Sequence, residues 1–178
     1  MIDAIDRRIL AMLQDAGRTS NAEVARALAM APSVVFERIK RLEQRGVLRG
    51  FAAQLDPVAL DLGLLAFIRV RSEDPVGGDA TAQALARRPE IQEVHHVAGE
   101  DCYLAKVRVK DTAALSRLMR EIGALPNVRT TQTTVVLETT KETLALPLEV
   151  PASKPPTPRS KTRSGAARKP DTGSRKPR

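Results

Sequence analysis

Residues 18–46, RTSNAEVARALAMAPSVVFERIKRLEQRG, hold two short apolar-periodic segments three residues apart, the second crowded with Arg and Lys and stopped by Gly46. Few folds accommodate two such short helices at that spacing; a helix-turn-helix does, and its usual counterpart is duplex DNA. The first segment opens with Ser20-Asn21-Ala22-Glu23, a capping box in which a serine oxygen and a glutamate carboxylate reciprocally satisfy exposed amides. After the connector Ala29-Met30-Ala31, Pro32 suits a first helical turn, where its missing amide would be unpaired anyway. Upstream, Asp3 can cap a helix in which Ile5, Ile9, Met12 and Leu13 form an inward stripe before Gly17 ends it. Three helices are therefore expected in residues 1–50, the third running to about Arg45.

On that third helix Val35, Ile39 and Leu42 recur at i, i+4 and i+7 and mark the buried side. Val34, Arg38, Arg41 and Arg45 form a neighbouring stripe, with Ser33, Glu37 and Lys40 close to it. A helix fits the major groove, where Arg can read guanine and smaller side chains can meet thymine methyls or phosphates. Glu37 would either repel phosphate or accept from cytosine N4. Ser20 and Asn21, at the start of the preceding helix, complete the expected DNA-contacting set.

The remainder alternates in kind. Val47 to Leu55 looks like a strand, stopped by Asp56-Pro57, and Val58 to Gly63 completes a hinge. Leu64 to Arg71, Ile91 to Ala98, Cys102 to Val109 and Val128 to Glu138 read as strands. Between them, Asp79 to Arg88 reads as a helix capped by Asp79, and Thr112 to Gly123 as one with Leu115, Leu118, Met119 and Ile122 on a single face. The order is βαββαβ, a ferredoxin-like split βαβ, which makes the chain α+β. Two helices cover only one face of such a sheet, so the other, a mixture of Leu, Val, Thr and Arg, invites a second copy.

Charge is distributed unevenly. The tail from Pro151 holds nine Lys or Arg against one acid, Asp171, whereas residues 1–150 hold twenty of each sign. Residues 1–50 carry nine basic and six acidic groups and suit a polyanion; residues 51–150 are mildly negative. With one valine at its edge and no Leu, Ile, Phe or Met, the tail cannot bury enough apolar surface to order itself, and disorder is expected from about Pro151. It reads as a cationic arm lying along phosphates, or as a solubilising extension.

Other chemistry is poorly supported. A lone Cys102 cannot form an intrachain disulfide, which fits a reducing cytoplasm. The opening MIDAIDRRIL has charges inside its apolar stretch and no run of eighteen apolar residues occurs, so neither a standard export signal nor a membrane span is expected. His95 and His96 are adjacent and point to opposite faces of a strand, which gives no zinc spacing. Gly77-Gly78 lacks both GxGxxG and GK[ST], and no G-x-S-x-G elbow occurs, so neither cofactor nor catalysis is expected. Phe36, Phe51, Phe67 and Tyr103 are too few to form a stacking platform for single strands.

The stretches IDRRILAMLQDAGRTSNAEVARAL, PSVVFERIKRLEQRGVLRGFAAQLDP and VHHVAGEDCYLAKVRV, followed by LPNVRTTQTTVVLETTK, together resemble the Lrp/AsnC family of feast/famine transcription regulators of bacteria and archaea. The resemblance covers residues 2 to about 148. It implies a winged-type helix-turn-helix domain over 1–50, a strand-containing hinge over 51–63, a ferredoxin-like effector and oligomerisation domain over 64–148, and a tail over 149–178. It further implies homodimers that gather into tetramers, octamers or larger discs, with an amino acid or related metabolite bound between effector domains. Carried over by position, the effector site falls on Gly99, Glu100, Asp101, Cys102 and Tyr103 and on Thr131, Thr133 and Thr134. Many relatives have aspartate where this chain has Cys102. Gly99 lets backbone approach a ligand, carboxylates suit an α-ammonium, and amides with threonine hydroxyls suit an α-carboxylate. The expected function is a sequence-specific, effector-responsive regulator; the alternatives are an architectural DNA-coating protein and a metabolite-binding module that contacts protein.

The arm has a measurable consequence. Truncation after Val150 is expected to leave the oligomer intact and to flatten the salt dependence of DNA binding, by roughly 0.9 in log–log slope for each phosphate that the arm no longer neutralises. Equal slopes for the full and shortened chains, measured by fluorescence anisotropy, would remove that role.

Overall fold

The computed structural model describes residues 2–149; the tail expectation lies outside them. Two compact units are present, residues 1–49 and residues 50–146.

The first unit is three helices: α1 (Ala4–Asp15), α2 (Asn21–Leu28) and α3 (Pro32–Gln44). Both α1 and α2 begin with reciprocal caps, Asp3 with Asp6 and Ser20 with Glu23. Their meeting faces bury Ile9, Leu13, Val24, Ala25, Val35 and Ile39, with Met12, Leu28, Met30 and Leu48 packed around them. One detail departs from the expected stripe. Ile5 is 36% exposed, and the α1 positions that turn inward are Asp6, Ile9, Leu10 and Leu13. An acid occupies the inner side at the first turn because a cation from α3, Arg38, meets it there.

The strand expected over Val47–Leu55 is not formed. Gly46 adopts φ +66°, and the amides of Val47 and Leu48 both turn back to the carbonyl of Leu42, at 2.9 and 3.1 Å. Those donors close the end of α3 in a C-terminal cap and are not available to a ladder. Beyond them, residues 51–56 have no paired neighbour, and Leu62 closes a turn onto Pro57.

The second unit follows the βαββαβ order: β1 (Leu64–Ser72), α4 (Ala80–Ala86), β2 (Ile91–His96), β3 (Tyr103–Val109), α5 (Thr112–Gly123) and β4 (Val128–Val135). The sheet runs β2-β3-β1-β4, antiparallel throughout. Burial alternates strictly on β3 and is interrupted on β1 only at Leu65, buried next to Ala66: Ala66, Ile68 and Val70 of β1 and Tyr103, Ala105, Val107 and Val109 of β3 join Leu115, Leu118 and Ile122 of α5 in the core. The opposite face carries Leu65, Phe67, Arg69 and Arg71 of β1 beside Leu104, Lys106 and Arg108 of β3. Glu142, from the segment after β4, pairs with both Lys106 and Arg108 across that face.

Asp79 precedes α4 as expected, but its side chain makes no cap bond. Asp74 takes that role from a distance. Its carboxylate accepts from the Thr81 amide (3.2 Å) and hydroxyl (3.0 Å), the Tyr103 hydroxyl (3.1 Å), the Asn127 amide (2.6 Å) and the Ser72 hydroxyl (3.2 Å). The loop reaches this position through a tight turn in which a Cβ on Gly78 would lie 2.9 Å from the Pro75 carbonyl oxygen. One carboxylate thus joins the ends of β1, α4 and β3 to the turn before β4. Burial pushes this carboxyl up, but the donors from Asn127, Thr81 and Tyr103 outweigh it and hold it below its ordinary value of 3.8.

Asp74→Ala is expected to destabilise the second unit by about 2–3 kcal/mol, measured by urea denaturation, since several part-buried donors lose a charged acceptor. Because the folded carboxyl titrates below its unfolded value, its contribution is complete above pH 3.8 and is lost as pH falls further. Asp74→Ala should therefore lack the part of the wild-type acid sensitivity that lies below that pH.

Candidate nucleic-acid interface and effector loop

The connection between α2 and α3 is short because α2 ends abruptly. Ala29 takes the left-handed conformation (φ 53°, ψ 44°), and the amide of Met30 returns to the Ala25 carbonyl at 2.9 Å. Ala31 then precedes α3 without any side-chain cap, leaving Pro32 at the first helical position. With Val35, Ile39 and Leu42 anchored inward, Ser33, Val34, Glu37, Lys40, Arg41 and Arg45 stand exposed on α3. Ser33, Val34, Glu37, Arg38 and Arg41 line an open groove of about 300 Å³.

Two expected contact residues are already engaged within the unit. The Ser20 hydroxyl accepts from the Glu23 amide (3.2 Å) and donates to its carboxylate (2.7 Å), so it is held by the α2 cap, with Asn21 half-buried beside it. Arg38 points along α3 toward α1, where Nη1 donates to Asp3 Oδ2 (2.6 Å) and Asp6 Oδ1 (2.7 Å). These bonds, that to Asp3 foremost, raise the Arg38 pKa above its usual value; the Asp6 amide, and then Arg38, lower that of Asp3. Phe36, absent from the expected set, is 49% exposed on the first turns of α3. In the sequence it counts only among aromatics too few to stack single strands, and its place one residue past Val35 is the signal that it lies off the buried stripe.

The residues expected to hold an effector divide between two environments. Gly99 (φ 141°) and Glu100 are solvent-exposed and Asp101 is half-exposed. Cys102 and Tyr103 turn into the fold: the Cys102 amide donates to the Val70 carbonyl (3.0 Å), its Sγ sits 3.4 Å from both the amide and carbonyl of Ser72, and Tyr103 is buried against Asp74 and the ring of His96 (centroids 5.2 Å apart). On β4, Thr131 and Thr133 pair with Val70 and Ile68 and share their helix-covered side, whereas Thr134 pairs with Phe67 and lies on the open side. The Thr133 hydroxyl already donates to Met119 Sδ at 3.5 Å. Within one copy the loop precedes β3, and β1 lies between that strand and the threonines of β4. Among the described residues no cluster of three His, Cys, Asp or Glu is disposed to hold a metal ion, and no helix is long and apolar enough to cross a membrane.

Comparison with known proteins decides the family. Residues 2–49 match the model of a winged helix-turn-helix DNA-binding domain, and residues 65–146 that of the Lrp/AsnC ligand binding domain. The HTH-type transcriptional regulator FL11 of Pyrococcus horikoshii is 36% identical over 148 residues, covering 83% of this chain and 97% of its own. The chain belongs to the Lrp/AsnC family. The leucine-responsive regulatory protein of Escherichia coli K12 is 39% identical over 144 residues, with 79% and 88% covered. Among solved structures, a transcriptional regulator from Neisseria meningitidis in complex with L-methionine superposes with a TM-score of 0.77 at 34% identity, covering 83% of this chain and 97% of that one. A feast or famine regulatory protein of M. tuberculosis complexed with L-methionine gives 0.75 at 34%, with 80% and 96% covered. This Lrp/AsnC chain is thus a helix-turn-helix transcription regulator with a second, ligand-binding domain.

The strained turn supplies a test of the local geometry. A left-handed alanine costs roughly 1–2 kcal/mol that glycine avoids, partly offset by the greater freedom of glycine in the unfolded chain. Ala29→Gly is expected to raise stability by about 0.5–1 kcal/mol in thermal denaturation with DNA affinity unchanged; destabilisation would contradict the left-handed assignment.

Proposed function

We propose that this regulator reads duplex DNA with the outward face of α3 from paired copies and that its DNA binding responds to an amino acid or related metabolite held by the second domain. The observation that carries the reading is α3 itself. Its apolar side is seated in a three-helix core while Ser33, Val34, Glu37, Lys40 and Arg41 stand exposed and contiguous over its first three turns. Recognition helices contact base edges mainly through their N-terminal residues. In that position Arg41 is suited to guanine or phosphate, Ser33 and Lys40 to phosphate, and Val34 to thymine methyl groups. Arg45 extends the basic edge toward the helix end, and Ser20 and Asn21 place the start of α2 toward the backbone.

The effector reading rests on Glu100 and Asp101, exposed and half-exposed beside the permissive Gly99, and on two relatives whose structures hold L-methionine. An amino acid offers an ammonium to such carboxylates and a carboxylate to loop amides. Because Thr131 and Thr133 face one side of β4 and Thr134 the other, we assign the complete site to an assembly of copies. The open sheet face, with half-buried Phe67 and Leu104 among its charges, and the exposed Phe51, Leu55, Val58, Leu60 and Leu62 supply surface for a homodimer and for larger rings. The reading assigns no catalytic step to the chain and places it in the cytoplasm with the nucleoid.

The test is competitive binding. A duplex selected from a randomised pool should be bound more tightly than random duplex, and a panel of L-amino acids should shift that affinity. Arg41→Ala should weaken specific binding by about 1–3 kcal/mol if it reads a base, with no loss of oligomer in sedimentation. Equal affinity for selected and random duplex would instead favour an architectural role.

A further inference from the structure

The sequence places Arg38 on the basic stripe of α3, yet its surroundings differ from those of Arg41. Its side chain is only 20% exposed, and the side chain of Asp6 facing it 10%. Every carboxylate oxygen in the cluster has a partner. Asp3 Oδ1 takes the Asp6 amide at 2.8 Å and Oδ2 takes Arg38; Asp6 Oδ2 takes the Asp3 amide at 3.3 Å and Oδ1 takes Arg38. The anion that holds Arg38 is therefore the capping box of α1 itself, and a single guanidinium nitrogen joins the middle of α3 to the first turn of α1.

Moving Arg38 into a groove would strip Asp6 of its cation where little water reaches it, a costly rearrangement for a largely desolvated pair. Two acids against one base also leave the cluster net negative, which cancels any pull of Arg38 on phosphate. We propose that Arg38 is a positioning residue and not a reader: it pins α3 to the N-terminal cap of α1 and so sets the angle at which Ser33, Val34, Glu37, Lys40 and Arg41 are presented. This rests on the reading of α3 as the DNA-facing helix. It makes Asp3 and Asp6, acids that would repel DNA if they lay near it, determinants of DNA affinity.

The experiment uses the full chain and the best duplex that the wild type selects from a randomised pool. Affinity is measured for Arg38→Gln, for Asp3→Asn with Asp6→Asn, for all three together, for Arg38→Lys, and for Arg41→Ala as the control on the face. Each is measured at a temperature where its helical circular dichroism equals that of the wild type. Arg38→Gln and the aspartate pair should weaken specific binding alike, by about tenfold, and the triple variant should be no weaker than Arg38→Gln alone, as expected when residues act as one unit. The salt slope should stay at its wild-type value, whereas removing a group that neutralises a phosphate would lower it by about 0.9. Arg38→Lys, which keeps a charge between the carboxylates but not a fork for guanine, should recover most of the loss.

Wild-type affinity in the aspartate pair, together with loss of preference at one base pair in Arg38→Gln, would overturn the proposal in favour of base reading. Lower melting temperatures with unchanged affinity throughout would overturn it in favour of a purely stabilising contact. If the aspartate pair does not fold, Asp3→Asn alone, which leaves Asp6 paired, carries the comparison. Wild-type affinity in Arg41→Ala would count against the DNA-facing reading of α3 itself, a separate failure.

Discussion

A strand projects side chains alternately to two sides, and two helices cover one side of a four-stranded sheet. That constraint governs the second unit. Its covered face is almost wholly apolar, with Ile68, Val70, Ala105 and Val107 fully buried between sheet and α5. The uncovered face mixes charged and apolar groups: half-buried Phe67 and Leu104 are interspersed with Arg69, Arg71, Lys106 and Arg108, Leu65 is buried, and Glu142 bridges Lys106 and Arg108. Leu137, Leu144 and Leu146, on the segment that carries Glu142, remain exposed. Ion pairs from Glu142 and a backbone bond from the Val136 amide to the Leu65 carbonyl tie that segment to the sheet.

Both units solve a second problem in a similar way. Small cores leave little apolar area to fix helix orientations, and each unit adds a carboxylate junction whose lone pairs are used by groups from separated elements. In the first unit Asp3 and Asp6 serve at once as cap and as counterion to α3; in the second Asp74 gathers donors from residues 72, 81, 103 and 127. Such junctions are directional where apolar contact is not. A helix resting only on Val35 and Ile39 could roll by several degrees at small cost, whereas a guanidinium 2.6–2.7 Å from two carboxylates resists that roll.

This division explains what was legible in the sequence. Periodicity identified all three helices of the first unit and the whole βαββαβ order, because apolar spacing is a local signal that burial then enforces. Some caps whose partners lie three residues away were also readable, Asp3 before α1 and the Ser20–Glu23 box, although Asp111, which caps α5 through the Ala114 amide, was not. The other failures involve distant partners. Asp74 acts across seven to fifty-three residues, and Asp79 drew the cap assignment because it stands next to α4. Arg38 looked equivalent to Arg41 on a helical wheel, and only the fold brings Asp3 and Asp6, more than thirty residues upstream, to its side. The strand over Val47–Leu55 had the composition of one, but its first amides close α3, and composition does not register that competition. The expected effector residues were assigned by position in a family pattern, and the split of the threonines between faces of β4 follows from a period of two that the pattern itself already contained.

The split bears on how a ligand and DNA binding could be coupled. A site complete within one chain could bind its ligand without altering how copies meet. Here the exposed Gly99–Asp101 loop and the side chains of Thr131 and Thr133 lie at one end of the sheet with β1 between them, and Tyr103, next in the chain after Cys102, is immobilised by Asp74. A ligand held by the loop would need its remaining contacts from elsewhere, and under the proposed assembly those come from a neighbouring copy. Occupancy then changes the free energy of contact between copies directly, and the spacing of α3 pairs along a duplex changes with it, since a differential affinity between assembly states is what any effector must supply. A rigid α3 strengthens that coupling, because a recognition helix pinned by Arg38 has little freedom to compensate when its partner is moved.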